Sequence, residues 1–92
     1  MDNAKKKILI EELEKKWKKE YPAFFRDLQK ACGALTPLEI LICTMIWKNM
    51  TSEVIAGEFH CAPGTVEGHR TKIRRKLGLK KGDSLRAHLD NI

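Results

Sequence analysis

Eight consecutive residues, Ile40-Leu41-Ile42-Cys43-Thr44-Met45-Ile46-Trp47, are apolar at every position but one, and in a chain of 92 residues such a run leaves few options. It is broken by Thr44 and far too short to span a bilayer. The residues before it read as a helix start. In Leu35-Thr36-Pro37-Leu38-Glu39, Thr36 can cap, Pro37 fits the first helical position, and Glu39 completes a capping box. A helix that is apolar nearly all round has to be covered on every side, so this one is the core element against which the rest of the chain packs.

The covering segments are helical by their own periodicity. From Lys5 to Glu20, Ile10, Leu13 and Trp17 recur at spacings of three and four, with Ile8 and Leu9 widening the stripe. Glu11 to Lys15, Glu12 to Lys16 and Glu14 to Lys18 are i,i+4 pairs in the favourable order, each worth about 0.2–0.5 kcal/mol. Tyr21-Pro22 ends or kinks this helix, and Phe24, Phe25 and Leu28 start a second short face that runs to Gly33. Residues 1–33 read as an N-terminal amphipathic arm or linker, its aromatic residues in contact with the rest. Beyond the core helix, Thr51 or Ser52 caps a short helix carrying Val54, Ile55, Ala56 and Phe59, with Glu53 and Glu58 outside. After a break of three or four residues at His60-Cys61-Ala62, Pro63 opens a helix expected to run to Leu77 and stop at Gly78. Asp83 or Ser84 caps a last helix in which Leu85, Leu89 and Ile92 share a face.

Charge separates one of these helices from the others. The formal net charge is +6, and between Ala62 and Arg86 eight basic side chains (Arg70, Lys72, Arg74, Arg75, Lys76, Lys80, Lys81, Arg86) face only Glu67 and Asp83, so the whole excess lies in that stretch. Concentration on one element is the footprint of a surface for a polyanion. At 100° per residue, Val66, Ile73 and Leu77 form the buried stripe of the Pro63–Leu77 helix, all within about 20° of Val66. Glu67, Gly68, Thr71, Lys72 and Arg75 fall opposite, while His69, Arg70, Arg74 and Lys76 flank the core edge. Two short helices joined by a tight turn, with a mostly basic outer face on the second, meet the physical requirements of a helix-turn-helix.

From Leu35 to Ile92 the chain resembles the DNA-binding domain of the LuxR/GerE class of bacterial transcription regulators. The resemblance rests on Leu35-Thr36-Pro37 with Glu39, Ile55-Ala56 in the scaffold helix, Gly64-Thr65-Val66 followed by His69, and Lys76-Leu77-Gly78. It implies an all-α fold, a four-helix domain over residues 34–92 preceded by the helical extension. It further implies that the third helix reads double-stranded DNA and the last one pairs in a weak homodimer on DNA, through Leu85, Leu89 and Ile92. Glu67, Gly68 and Thr71 match positions that point at base edges. Thr65, Lys72, Arg75 and Lys76 match positions near phosphates, with Arg70 and Arg74 as further backbone contacts. The chain departs from the family where Glu53 and Leu38 stand at often basic positions, and where Ala62 replaces the frequent N-cap serine. The segment before Leu35 suggests connection to an upstream sensor or helical-repeat domain.

Several of these residues also have plainer readings. Glu67 reads as an acceptor for cytosine N4, as a solubilising carboxylate, or as a partner of Arg70 or Arg74. Thr71 reads as a surface residue, His69 as a packed one, and Arg74 as serving the helix end. Two rival functions share the fold: an adaptor whose basic face docks on an acidic protein, and a sigma-factor-like promoter binder that requires RNA polymerase. An enzyme is disfavoured, because His60, His69, His88 and the cysteines show no nucleophile-base-orienter arrangement and no Gly-rich phosphate loop appears. No cofactor or metal is expected, since Cys32, Cys43 and Cys61 lack paired-ligand spacing. An odd cysteine set and a basic but barely apolar N-terminus, unlike a secretory signal, give the cytoplasm as the expected location, with no membrane partner.

Overall fold

The computed structural model describes residues 3–80 and 82–92, so Lys81 of the basic stretch lies outside the described residues. They form six helices: α1 (Asn3–Glu20), α2 (Pro22–Ala31), α3 (Pro37–Trp47), α4 (Ser52–Phe59), α5 (Pro63–Lys76) and α6 (Leu85–Leu89). Local chemistry explains each start. Tyr21 leaves the helical region at φ −129°, as a residue before proline must, and Pro22 opens α2. The capping box of α3 is closed: Thr36 Oγ1 accepts from the Glu39 N–H at 3.2 Å, and Glu39 Oε1 accepts from the Thr36 N–H at 2.8 Å. Thr51 caps α4 and Ser84 caps α6 through their hydroxyls. Asp83, the alternative cap for α6, instead accepts from the Lys80 N–H at 3.0 Å and braces the loop.

Every residue of α3 from Glu39 to Ile46 is buried. Thr44, buried in the middle of α3, donates its hydroxyl to the Ile40 carbonyl at 2.8 Å and so adds no unsatisfied group. α1, α2 and α6 pack on α3, α4 packs on α5, and α1 also touches α4. Leu13, Phe24, Phe25 and Leu28 of the N-terminal arm belong to the same buried cluster as Ile55, Val66, Ile73 and Leu85. The joint is aromatic. Phe24 stacks on Trp47 with centroids 4.2 Å apart, Tyr21 meets Trp47 edge-on at 5.6 Å, and the Lys48 ammonium lies 5.0 Å from the Tyr21 ring.

Some expectations are corrected. The three i,i+4 pairs of α1 do not close: the ion pairs among the described residues are Arg26–Asp27, Lys76–Glu39 and Arg86–Asp90. Exposed side chains gain too little from pairing in water to be held together. Val54, grouped with the apolar residues of α4, is 52% exposed. Burial in α6 bears on the expected dimer surface. Leu85 and Leu89 are each only 1% exposed, inside the domain's own core, and of the three residues named for pairing only Ile92 reaches the surface, half-buried. So short a last helix has to turn its apolar face onto α3 to be held at all. Among the described residues, no helix is long and apolar enough to cross a membrane.

Candidate nucleic-acid interface

The turn between α4 and α5 is His60-Cys61-Ala62. His60 caps α4 in the left-handed region at φ 54°, which reverses the chain within three residues. Ala62 gives α5 no side-chain cap, so Pro63 alone sets its first turn, as the departure from the family's serine implied. Val66 and Ile73 anchor α5 in the core, with Leu77 half-buried at its end. Gly64, Thr65, Glu67, Gly68, Thr71, Lys72 and Arg75 are exposed, and His69, Arg70 and Arg74 are half-buried along the edges.

The hydrogen bonds divide these residues into those that hold the helix and those left on its outer side. Glu67 does not pair with Arg70 or Arg74. Its Oε1 accepts from the Ser52 hydroxyl at the start of α4, tying the two helices together. Thr71, exposed, donates its hydroxyl back to the Glu67 carbonyl at 3.1 Å, which leaves its oxygen able to accept. Arg74 donates to the Lys80 carbonyl at 3.1 Å and so secures the loop after α5, in line with the plainer reading of that residue. Arg70 lies close enough to Cys43 to oppose the burial that pushes that thiol up to about 12, a value at which it stays protonated and inert.

Lys76, expected beside a phosphate, is held by an ion pair within the domain. Its Nζ lies 2.6 Å from Glu39 Oε1, and the Glu39 side chain is only 4% exposed. Burial pushes the Glu39 carboxyl up, but hydrogen bonds from Lys76 and the Thr36 backbone, with the Lys76 charge, outweigh it and leave the group below its ordinary value. The end of α5 is thereby bolted to the start of α3. Sequence reasoning saw Glu39 only as a cap, because nothing local shows that a residue 37 positions away supplies its counter-charge. The Ser52–Glu67 bond was missed for the same reason. His69 is shifted below its ordinary value, first by desolvation and then by the positive charge of Lys72, so it is neutral at pH 7.

What remains on the outer side of α5 is a strip of two glycines, Thr65, Thr71, Lys72 and Arg75. A Cβ placed on Gly68 would meet nothing within 4 Å. No internal packing requires the glycine, and Gly68→Ala is expected to stabilise the fold by about 0.5–1 kcal/mol, read as a higher midpoint in urea denaturation. A second helix held out on a short brace, with a small-residue and cationic face toward solvent, defines a helix-turn-helix domain. The model of the family described as bacterial regulatory proteins, luxR family (GerE), matches residues 33–86. That is more than half of the chain, and the chain belongs to this family. The match leaves α1 and α2 outside it. No curated protein and no solved structure matches the chain.

Proposed function

We propose that this protein binds duplex DNA sequence-specifically, with α5 in the major groove, as the effector domain of a transcription regulator. The observation that carries the proposal is the sorting of charge on α5. Lys76 and Arg74 turn inward to structural partners, while Lys72 and Arg75 stand on the exposed side with Gly64, Gly68 and Thr71. Small residues on that face allow close approach to base edges, and the cations among them meet phosphates. Thr71 then reads a base through its methyl or its oxygen. Glu67, steadied by Ser52, presents its second carboxylate oxygen as the acceptor for cytosine N4. Pairing of two copies on DNA belongs to the same proposal, with the contact moved to Ile92 and the outer side of α6.

Binding-site selection with a salt series tests this reading. Log K against log salt is expected to slope at about −4 to −5, for four to six phosphates contacted. Lys72→Ala should weaken all sequences alike and reduce the slope by about 1, whereas Thr71→Ala should change preference at one or two base positions by about 1–3 kcal/mol. A slope near zero would favour the adaptor with an acidic partner. Selection that succeeds only with RNA polymerase present would favour the sigma-like reading. Gly68→Ala links site and fold, for the variant that gains stability should lose affinity for every selected sequence.

A further inference from the structure

On α1, Lys6 lies one helical turn before Ile10 and shares its stripe with Leu13 and Trp17, the side packed against the domain. That stripe delivers Lys6 to a cleft it lines together with Ile10, Leu38, Thr65 and His69, which sets the start of α1 beside the first turns of α5. The cleft encloses only about 20 Å³, room for a single water, so it is no small-molecule site. Its apolar walls take the aliphatic stem of Lys6 while the side chain remains exposed and keeps its ammonium in water. The positive charges of both Lys6 and Lys72 act on His69, which places a cation from each helix at this edge of α5.

The two flanks of α5 are electrostatically unlike. Beside Glu67 stands the start of α4, tied there through Ser52, and the charged residues of α4 are Glu53 and Glu58, both exposed. Beside Thr65 and His69 stands the start of α1, with Lys5, Lys6 and Lys7 exposed. A helix about 10–12 Å across fills a major groove about 12 Å wide, so the phosphates on each rim meet what flanks the helix as well as the cations of the helix itself. One rim meets carboxylates and the other meets lysines. We propose that Lys6 of α1 holds a backbone phosphate beside the first turns of α5, making the N-terminal helix part of the DNA-binding surface. This rests on the reading of α5 as a DNA-binding helix and adds a contact from outside the segment that matches the family.

The test is equilibrium binding of the whole chain to a selected duplex and to unrelated duplexes across a salt series. Lys6→Met is expected to weaken binding to all of them alike, between about three- and tenfold at 0.1 M salt, and to reduce the salt slope by about 0.9. Lys6→Arg, which keeps the charge, should restore both. Lys19→Met removes the same charge from the other end of α1, about 20 Å along the helix and beyond the screening length at that salt, and should leave the slope unchanged. An unchanged slope in Lys6→Met, equal losses in the Lys6 and Lys19 variants, or a change in base preference would each overturn the assignment while leaving DNA binding by α5 intact. Failure of the unmodified chain to bind duplex DNA would remove both.

Discussion

Leu89→Ala is expected to lower the free energy of unfolding by about 2–5 kcal/mol, measured by urea denaturation with an unchanged m-value. Leu89 is 1% exposed and, with Leu85, attaches the five-residue helix α6 to α3. A helix of that length has no stability in isolation, so removing one of its two buried leucines loses transfer free energy, leaves a cavity and loosens α6 together. Against a total of about 5–15 kcal/mol for an ordinary domain, the loss is large enough to shift a melting curve by many degrees. The outcome also decides what Leu89 is for. A variant of unchanged stability that had lost cooperativity on two half-sites would return Leu89 to the dimer surface and contradict its burial.

Lys76→Met is expected to cost about 2–3 kcal/mol. Breaking a fully buried ion pair by removing one partner costs about 3–5 kcal/mol, and the 32% exposure of the Lys76 side chain lets solvent take up part of the loss. The double variant Glu39→Gln/Lys76→Met should recover much of it, since no charge is then left uncompensated and the glutamine oxygen can still accept from the Thr36 N–H. The pH dependence follows from the direction in which Glu39 is shifted. Its folded pKa lies below the ordinary 4.5, so the unfolded chain takes up the proton first as pH falls. The contribution is complete above about pH 4.5 and is lost as pH drops through the folded value. In Lys76→Met, burial acts on a carboxylate with less support, its pKa rises, and acid then favours the folded form. The deficit of the variant relative to the parent should therefore be largest at pH 7 and narrow toward pH 4. A deficit that did not change with pH would mean that Lys76 acts through packing alone.

Much of this protein was legible without coordinates, wherever the signal is local. The capping box at Thr36 and Glu39, the break at Tyr21-Pro22, the start of α5 at Pro63 and the left-handed glycine at Gly78 (φ 72°) each depend on residues within one helical turn. The stripe of Val66 and Ile73 follows from rotation about one axis, and so does the set of residues on the opposite side. Those features determine that the chain is helical, that α3 is its core, and which face of α5 is turned out. The resemblance to the family rests on the same spacings, because they record where caps, core positions and turns must fall.

What tertiary structure alone decided is which polar and apolar groups already have partners. Lys76 and Lys72 stand four residues apart with the same charge, yet one meets Glu39 at the start of α3 and the other meets solvent. Glu67 found Ser52 across the turn, and the leucines of α6 found α3. The N-terminal helix, which by its pattern alone was equally consistent with a linker, packs on α3 and brings Lys6 to the edge of α5. In each case the local pattern tells which way a side chain leaves its own helix. It says nothing of what stands at the other end, because that depends on how helices far apart in the chain are packed together.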